Sequence, residues 1–351
     1  MKRLILILLI VVAVSTLFAG TAAKKVIVDT DMGWDDTLSI LYLMKNPDVE
    51  ILGITVTGCG ETYLKDGVEN ALKLMTLGKQ KAGVYIGAAD PIQYDHKFPA
   101  SFKKDMSDIM GLSAKLPDPD RQFRSKKAWD YIHETLEATE EKITILSLGG
   151  FTNLAKMLEK YPDTRVDRIE NIYAMAGAVF VDGNVSLLNN AKKEWDQGPI
   201  YSTNRWAEFN VFVDPVAAKR IIDSELPITI IPLDACDYVL LQRSFLNEIT
   251  AKDPIAKMVS DIIMKKTGSS SEGIPVPIFD PLATMIMAGG LRPNQITPVN
   301  LTVNTTNTKK ANHSVPTYVD STSPGGLVNV VQGVSEFDFK EDFSSVINSE
   351  F

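Results

Sequence analysis

Four carboxylates stand within eight positions in "DTDMGWDD": Asp29, Asp31, Asp35 and Asp36. The β-branched run "KKVIV" precedes them and "TLSILYLM" follows with apolar residues at helical spacing. The acids therefore sit where a strand gives way to a helix. Asp35 and Asp36 fall in the first helical turn, where the helix dipole tolerates anions. Asp31 must share that space, and ionised carboxylates in one pocket repel each other unless a cation compensates. Their oxygens are hard donors, suited to Ca²⁺ or Mg²⁺. A solvated cap cluster accounts for Asp35 or Asp36 singly, but not for Asp29 and Asp31 at the end of an apolar strand. The motif points to a metal site.

A second reading of "DTD" is the aspartate nucleophile pair of haloacid-dehalogenase-like phosphatases. Those enzymes carry their later acids on another strand. Here the further acids come four and five residues after Asp31, which favours metal and polyol binding.

The elements that must hold these residues alternate. "VEILGITV" reads as a strand and "LKDGVENALKLMTLG" as a helix; "GVYIG", "KITILSL", "FTNLAKMLEKY", "IENIYAMAG", "DPVAAKRIIDS" and "LPITIIPL" continue the rhythm. Such alternation predicts an α/β fold, with a mostly parallel central sheet flanked by helices. Ligands of open α/β sheets bind beyond the carboxyl ends of the strands, where the acids lie. No repeat or linker divides the chain, so one domain is expected. Segments 88–124 and 182–207 read as long loops, which in compact domains are often functional. Beyond about residue 295, polar β-structure and turns are expected.

The 351 residues, 45% hydrophobic and 23% charged, suffice for a substantial core. A formal charge of −8 without a basic cluster argues against a nucleic-acid surface. Residues 1–23 combine "MKR", an unbroken apolar run and small residues, the pattern of a secretory signal peptide cut after Ala19 or Ala23. A retained anchor is the rival, because the run is near the lower limit for a span. Cleavage would leave residues 24–351 as an exported domain, periplasmic or extracellular, without a stable membrane anchor. Cys59 and Cys236 read as buried free thiols, although export permits a disulfide.

With these motifs in view, the chain resembles the calcium-dependent nucleoside hydrolases over residues 26 to about 290. "DTDMGWDD" is similar to that family's DTDPGxDD, with Met32 replacing Pro. "GITVTGCGETYLKDGVENALKL", "ILSLGGFTNLA", "AMAGAVFVDGN", "AEFNVFVDPVAA" and "FDPLATM" follow in family order. The resemblance implies Ca²⁺ held by Asp31, Asp36, Asp280 and the Leu148 carbonyl, with Asp31 also the general base. It implies that Asp35 holds a ribose hydroxyl, that Asn184, Glu208 and Asn210 grip the sugar, and that Met175 lines its pocket. Glu61 stands at a substrate-binding position where other members have Asn or Asp, and is acidic as in the purine-preferring type. Asp29 would be a structural neighbour. Taken singly, Asp280 reads as a helix cap and Asn184 as turn chemistry. If "WAEFNVFV" is a strand, Glu208 and Asn210 share a face.

In one branch of the family a His precedes the late Asp; here Phe279 does. The purine-preferring branch clamps the base between two aromatics, for which Phe279 and Phe102 of "FPASF" are the candidates. The implied activity is hydrolysis of the N-glycosidic bond of ribonucleosides, preferring purines, in a homodimer or homotetramer. A pyrimidine or broad-specificity hydrolase and a non-catalytic nucleoside-binding protein are the alternatives. Asp31 speaks against the last, since binding alone has less need of a base.

Overall fold

The computed structural model describes residues 22–191, 199–268, 273–305, 308–310, 313–315 and 318–350. Its first six strands are β1 (Lys24–Thr30), β2 (Val49–Val56), β3 (Gly83–Ile86), β4 (Ile143–Ser147), β5 (Ile169–Ala174) and β6 (Ile228–Ile230). They lie side by side in the order β3-β2-β1-β4-β5-β6, all parallel. The strand Gly326–Val331 extends the sheet in parallel beyond β6; Ile296–Asn304 and Tyr318–Asp320 then pair antiparallel at that edge. The strand order reverses between β1 and β4, which opens a crevice at their carboxyl ends. Asp29 lies in register with Thr55 on one side and Ser147 on the other, so the acidic turn leaves the sheet at that crevice.

The sheet is covered on both faces because its strands alternate between two cores. Val26 and Val28 pack with α1 (Trp34–Lys45), α2 (Leu64–Leu77) and the helices Pro254–Thr267, Asp280–Ala288 and Glu336–Asn348. Ile27, between them, packs with α4 (Ala128–Ala138), α5 (Thr152–Lys160) and the helix Pro215–Ile222. Burying each such aliphatic side chain contributes about 1.5–3 kcal/mol. Every residue of α1 is buried. A helix with no solvent face is held rigidly by its surroundings, which suits one whose first turn carries Asp35 and Asp36.

Three expectations are corrected. Segment 88–124 contains α3 (Ala100–Ser107) and two single-turn helices. Segment 182–207 contains the helices Val185–Ala191 and Pro199–Ser202; Trp195 lies outside the described residues. The region after residue 295 is β-rich, but it closes with the helix Glu336–Asn348, capped by the Ser335 side chain on the Asp338 N–H. Residues 1–21 of the expected signal segment also lie outside the described residues. No described helix is long and apolar enough to cross a membrane. Cys59 and Cys236 are buried free thiols.

Candidate active site

Between β1 and α1 the chain turns over Met32, which adopts a left-handed backbone (φ 61°) without being glycine. Its N–H donates to Thr30 Oγ1 at 2.9 Å, and that hydroxyl donates to Asp36 Oδ1. The Gly33 N–H donates to Asp36 Oδ2 at 2.8 Å. Both oxygens of Asp36 are thereby oriented. Asp31 is fixed from the loop after β2: the Glu61 N–H donates to its Oδ2 at 3.0 Å and the Thr62 hydroxyl to its carbonyl at 2.6 Å. That loop can come so close because residue 60 is glycine. A β-carbon there would lie 1.8 Å from Asp31 Oδ2.

The carboxyl groups of Asp31 and Asp36 are within hydrogen-bonding reach of each other, as are those of Asp36 and Asp280. One oxygen from each of Asp35, Asp36 and Asp280 lies within 4.8 Å of the others, and all three residues are buried. Burial, reinforced by neighbouring negative charge, pushes Asp35 and Asp36 up to about 6. The same causes push Asp31, Asp280 and Glu61 well above the usual carboxyl range. Two lysines oppose this. Lys266, with Nζ 4.3 Å from the Trp34 ring centroid, acts on Asp35 and Glu61, and the buried Lys103 acts on Asp31.

This donor set fits a hard divalent cation. It is all oxygen, and its spacing matches oxygens that share one ion at about 2.3–2.6 Å each. In addition, Glu61 Oε2 is buried without a hydrogen-bond partner, a costly arrangement unless something else satisfies it. Asp29 differs. Its Oδ1 accepts from Thr55 at 2.6 Å and Asn153 at 2.8 Å, tying β1 to β2 and α5. Burial raises it to about 7. It does not line the cleft, so it is the structural neighbour that was expected.

A cleft lies above the acids, lined by Asp31, Asp35, Asp36, Glu61, Asp280 and a further wall. That wall includes Leu148, Met175, Asn184, Glu208, Asn210 and Phe279. The segment around Glu208 is not a strand but the start of the helix Phe209–Val213. Glu208 caps it, accepting from the N–H groups of Asn210 (2.7 Å), Gly177 (2.9 Å) and Val211 (3.2 Å). Burial raises this carboxyl to about 7 against those donors. Asn210 Nδ2 donates to the carbonyls of Leu148 (3.2 Å) and Met175 (3.0 Å). Asn184 Oδ1 accepts from the Phe209 N–H at 3.1 Å.

Of the metal, catalytic and substrate-binding candidates named from the sequence, Phe102 is the one that does not line the cleft. Phe98 is there instead, stacked at 4.1 Å on Phe209 and at 5.2 Å on Phe102, which sits behind it. Phe209 and Leu188 also line the cleft and were not foreseen. Phe98 shares the "FPASF" stretch with Phe102, so the segment was legible and the residue was not. No histidine lines the cleft among the described residues. His96 is buried, with Nδ1 2.7 Å from the Phe212 carbonyl.

Comparisons with known proteins place the chain in a family. An uncharacterized protein of Schizosaccharomyces pombe is 34% identical over 60% of this chain and 61% of its own length. Uridine nucleosidase 1 of Arabidopsis thaliana is 30% identical over 68% of this chain and 65% of its own. The chain thus spans a little under two thirds of each of these relatives. The solved structure of a purine-preferring ribonucleoside hydrolase from Gardnerella vaginalis superposes with a TM-score of 0.71 and 26% identity, covering 93% of this chain and 99% of that one. The profile of the family described as inosine-uridine preferring nucleoside hydrolase matches residues 26–341. With residues 26–341 matched, this protein belongs to that family.

Proposed function

We propose that the protein hydrolyses the N-glycosidic bond of ribonucleosides, prefers purines, and binds Ca²⁺ through Asp31, Asp36, Asp280 and the Leu148 carbonyl. The observation that carries this is that oxygens of the buried Asp35, Asp36 and Asp280 lie within 4.8 Å of one another, with the buried Asp31 lining the same cleft, at the crevice between β1 and β4. When bound, the ion supplies Lewis acidity that makes a water easier to deprotonate and a charge that attracts sugar hydroxyls. Asp31 accepts the proton of the attacking water. Its Oδ2 is held by the Glu61 N–H, which leaves Oδ1 for the transfer. Asp35 accepts from a ribose hydroxyl. Asn184, its Oδ1 engaged by the backbone, offers Nδ2 as a donor, and Asn210, its Nδ2 engaged, offers Oδ1 as an acceptor. The anionic lining stabilises the positive charge that develops on the sugar.

Phe98 and Phe279 support the purine preference, since stacked aromatics favour the larger base. No histidine lines the cleft among the described residues, and in this reading stacking makes the purine readier to accept a proton from solvent. The N-terminal pattern supports export to the periplasm or outside the cell, and family precedent supports a homodimer or homotetramer. Incubating residues 24–351 with inosine, guanosine, uridine and cytidine, with and without a chelator, tests the reading. Ribose release that is fastest from the purines and lost on chelation is expected. Undiminished turnover after calcium removal would refute the metal-centred mechanism. Faster release from uridine, in keeping with the name of the Arabidopsis relative, would instead identify a pyrimidine or broad-specificity hydrolase.

A further inference from the structure

Lys103, on α3, is buried, yet it is neither a metal ligand nor part of the cleft lining. Its Nζ donates to the carbonyls of Gly58 at 3.0 Å and Gly60 at 2.6 Å. The residue after Gly60 is Glu61, whose N–H is the donor to Asp31 Oδ2. Gly60 itself lies so close to Asp31 that no side chain fits between them. One ammonium thus grips the outer side of the turn whose inner side grips the aspartate. The ammonium also lies 5.5 Å from the Tyr63 ring centroid.

We infer that Lys103 is a positioning residue: by clamping the Gly58–Gly60 carbonyls it holds the Glu61 N–H on Asp31 and so aims the other oxygen of that carboxylate at the attacking water. The physical case is one of rigidity. A glycine-rich turn has little conformational preference of its own, and a base misplaced by a fraction of an ångström loses much of its effect. Two charge-assisted bonds from one buried ammonium supply the missing restraint. The inference rests on the hydrolase reading for its kinetic consequence, but not for the clamp itself.

Lys103 lines a second, solvent-open pocket, together with Cys59, His96 and Phe98. A small amine can reach its place from there. The test uses Lys103→Met, which keeps the hydrocarbon stem without the donors, and Lys103→Ala with added ethylammonium. Lys103→Met is expected to lower kcat for the best ribonucleoside about 10- to 100-fold, the worth of one charge-assisted bond, with KM changed less than about threefold. Backbone hydrogen exchange at Glu61 should become faster in Lys103→Met than in the wild type. Ethylammonium should restore part of kcat to Lys103→Ala, and tetramethylammonium, which has no N–H, should not. Unchanged kcat and unchanged Glu61 exchange in Lys103→Met would overturn the inference. If Lys103→Ala does not fold, the Lys103→Met exchange result decides. A wild type inactive on every ribonucleoside would sink the hydrolase reading alone, because faster Glu61 exchange would still establish the clamp.

Discussion

Asn210 and Leu148 are joined by a hydrogen bond of 3.2 Å from the Asn210 amide to the Leu148 carbonyl, and the same nitrogen reaches the Met175 carbonyl at 3.0 Å. One side chain therefore ties the ends of β4 and β5 together beneath the cleft. Replacing it by alanine leaves two buried carbonyls short of a donor and should cost about 1–3 kcal/mol. Asn210→Asp should cost more, because it sets a carboxylate against two carbonyl oxygens. Urea denaturation of both variants checks the order. Equal stabilities would mean that the amide does not donate there.

Asp31→Asn removes the proposed base while keeping its shape. Turnover should fall about 10²- to 10⁴-fold. Without metal, stability should hold or rise, since one member of a buried, mutually repelling carboxyl group becomes neutral. Ribose release and a thermal melt in chelator measure the two halves. A variant that is both active and less stable would contradict the assignment.

The pH dependence has a definite sign. Asp29 and Glu208 titrate near 7 in the folded protein because burial disfavours their charged forms, whereas unfolded carboxyls titrate near about 4. Between those values the folded protein holds protons that the unfolded chain has released, so raising the pH favours unfolding. The penalty begins above about 4 and is complete once the folded groups ionise. The midpoint of thermal unfolding of the metal-free protein should therefore fall from pH 5 to pH 8. Added Ca²⁺ should raise it most at pH 8, where the acids are ionised. A metal-free midpoint that climbs over this range would rule out the burial argument.

The aromatic wall separates Phe98 from Phe102. Phe98→Ala should raise KM for inosine several-fold, in line with about 0.5–1.5 kcal/mol for a stacked ring, and affect uridine less. Phe102, which stacks on Phe98 and does not itself line the cleft, should give a smaller change when replaced by alanine. Steady-state kinetics on the two substrates would expose the reverse order.

The sheet was legible because β-branched runs and helical spacing alternate along the chain through residue 230. The acidic turn was legible because charge of that density at the end of an apolar strand repels itself unless a cation sits among the oxygens. Other features were not, for separate physical reasons. Glu208 is a helix cap of an uncommon type in a segment, "WAEFNVFV", whose alternation imitates a strand. α3, "ASFKKDMS", is too short and polar to show a period. Lys103 gives no signal at all, since a buried lysine is read from sequence as a surface one. Met32 shows a subtler case. The resemblance sets it at a family proline, yet its positive φ and its N–H donation to Thr30 are both closed to proline, so this turn follows its own local solution. The helix Glu336–Asn348 was also missed, although Ser335 before it is a recognisable cap.

That helix braces α1 from outside: Tyr42 donates to Asp342 at 2.6 Å, its ring stacks on Phe343 at 5.6 Å, and Lys45 donates to the Ser349 carbonyl. Tyr42 and Asp342 are separated by 300 residues. During translation, then, the N-terminal aspartates emerge from the ribosome long before the segment that seats their helix. The helix that carries Asp35 and Asp36 thus gains its outer brace only when the C-terminal helix is available to pack on it.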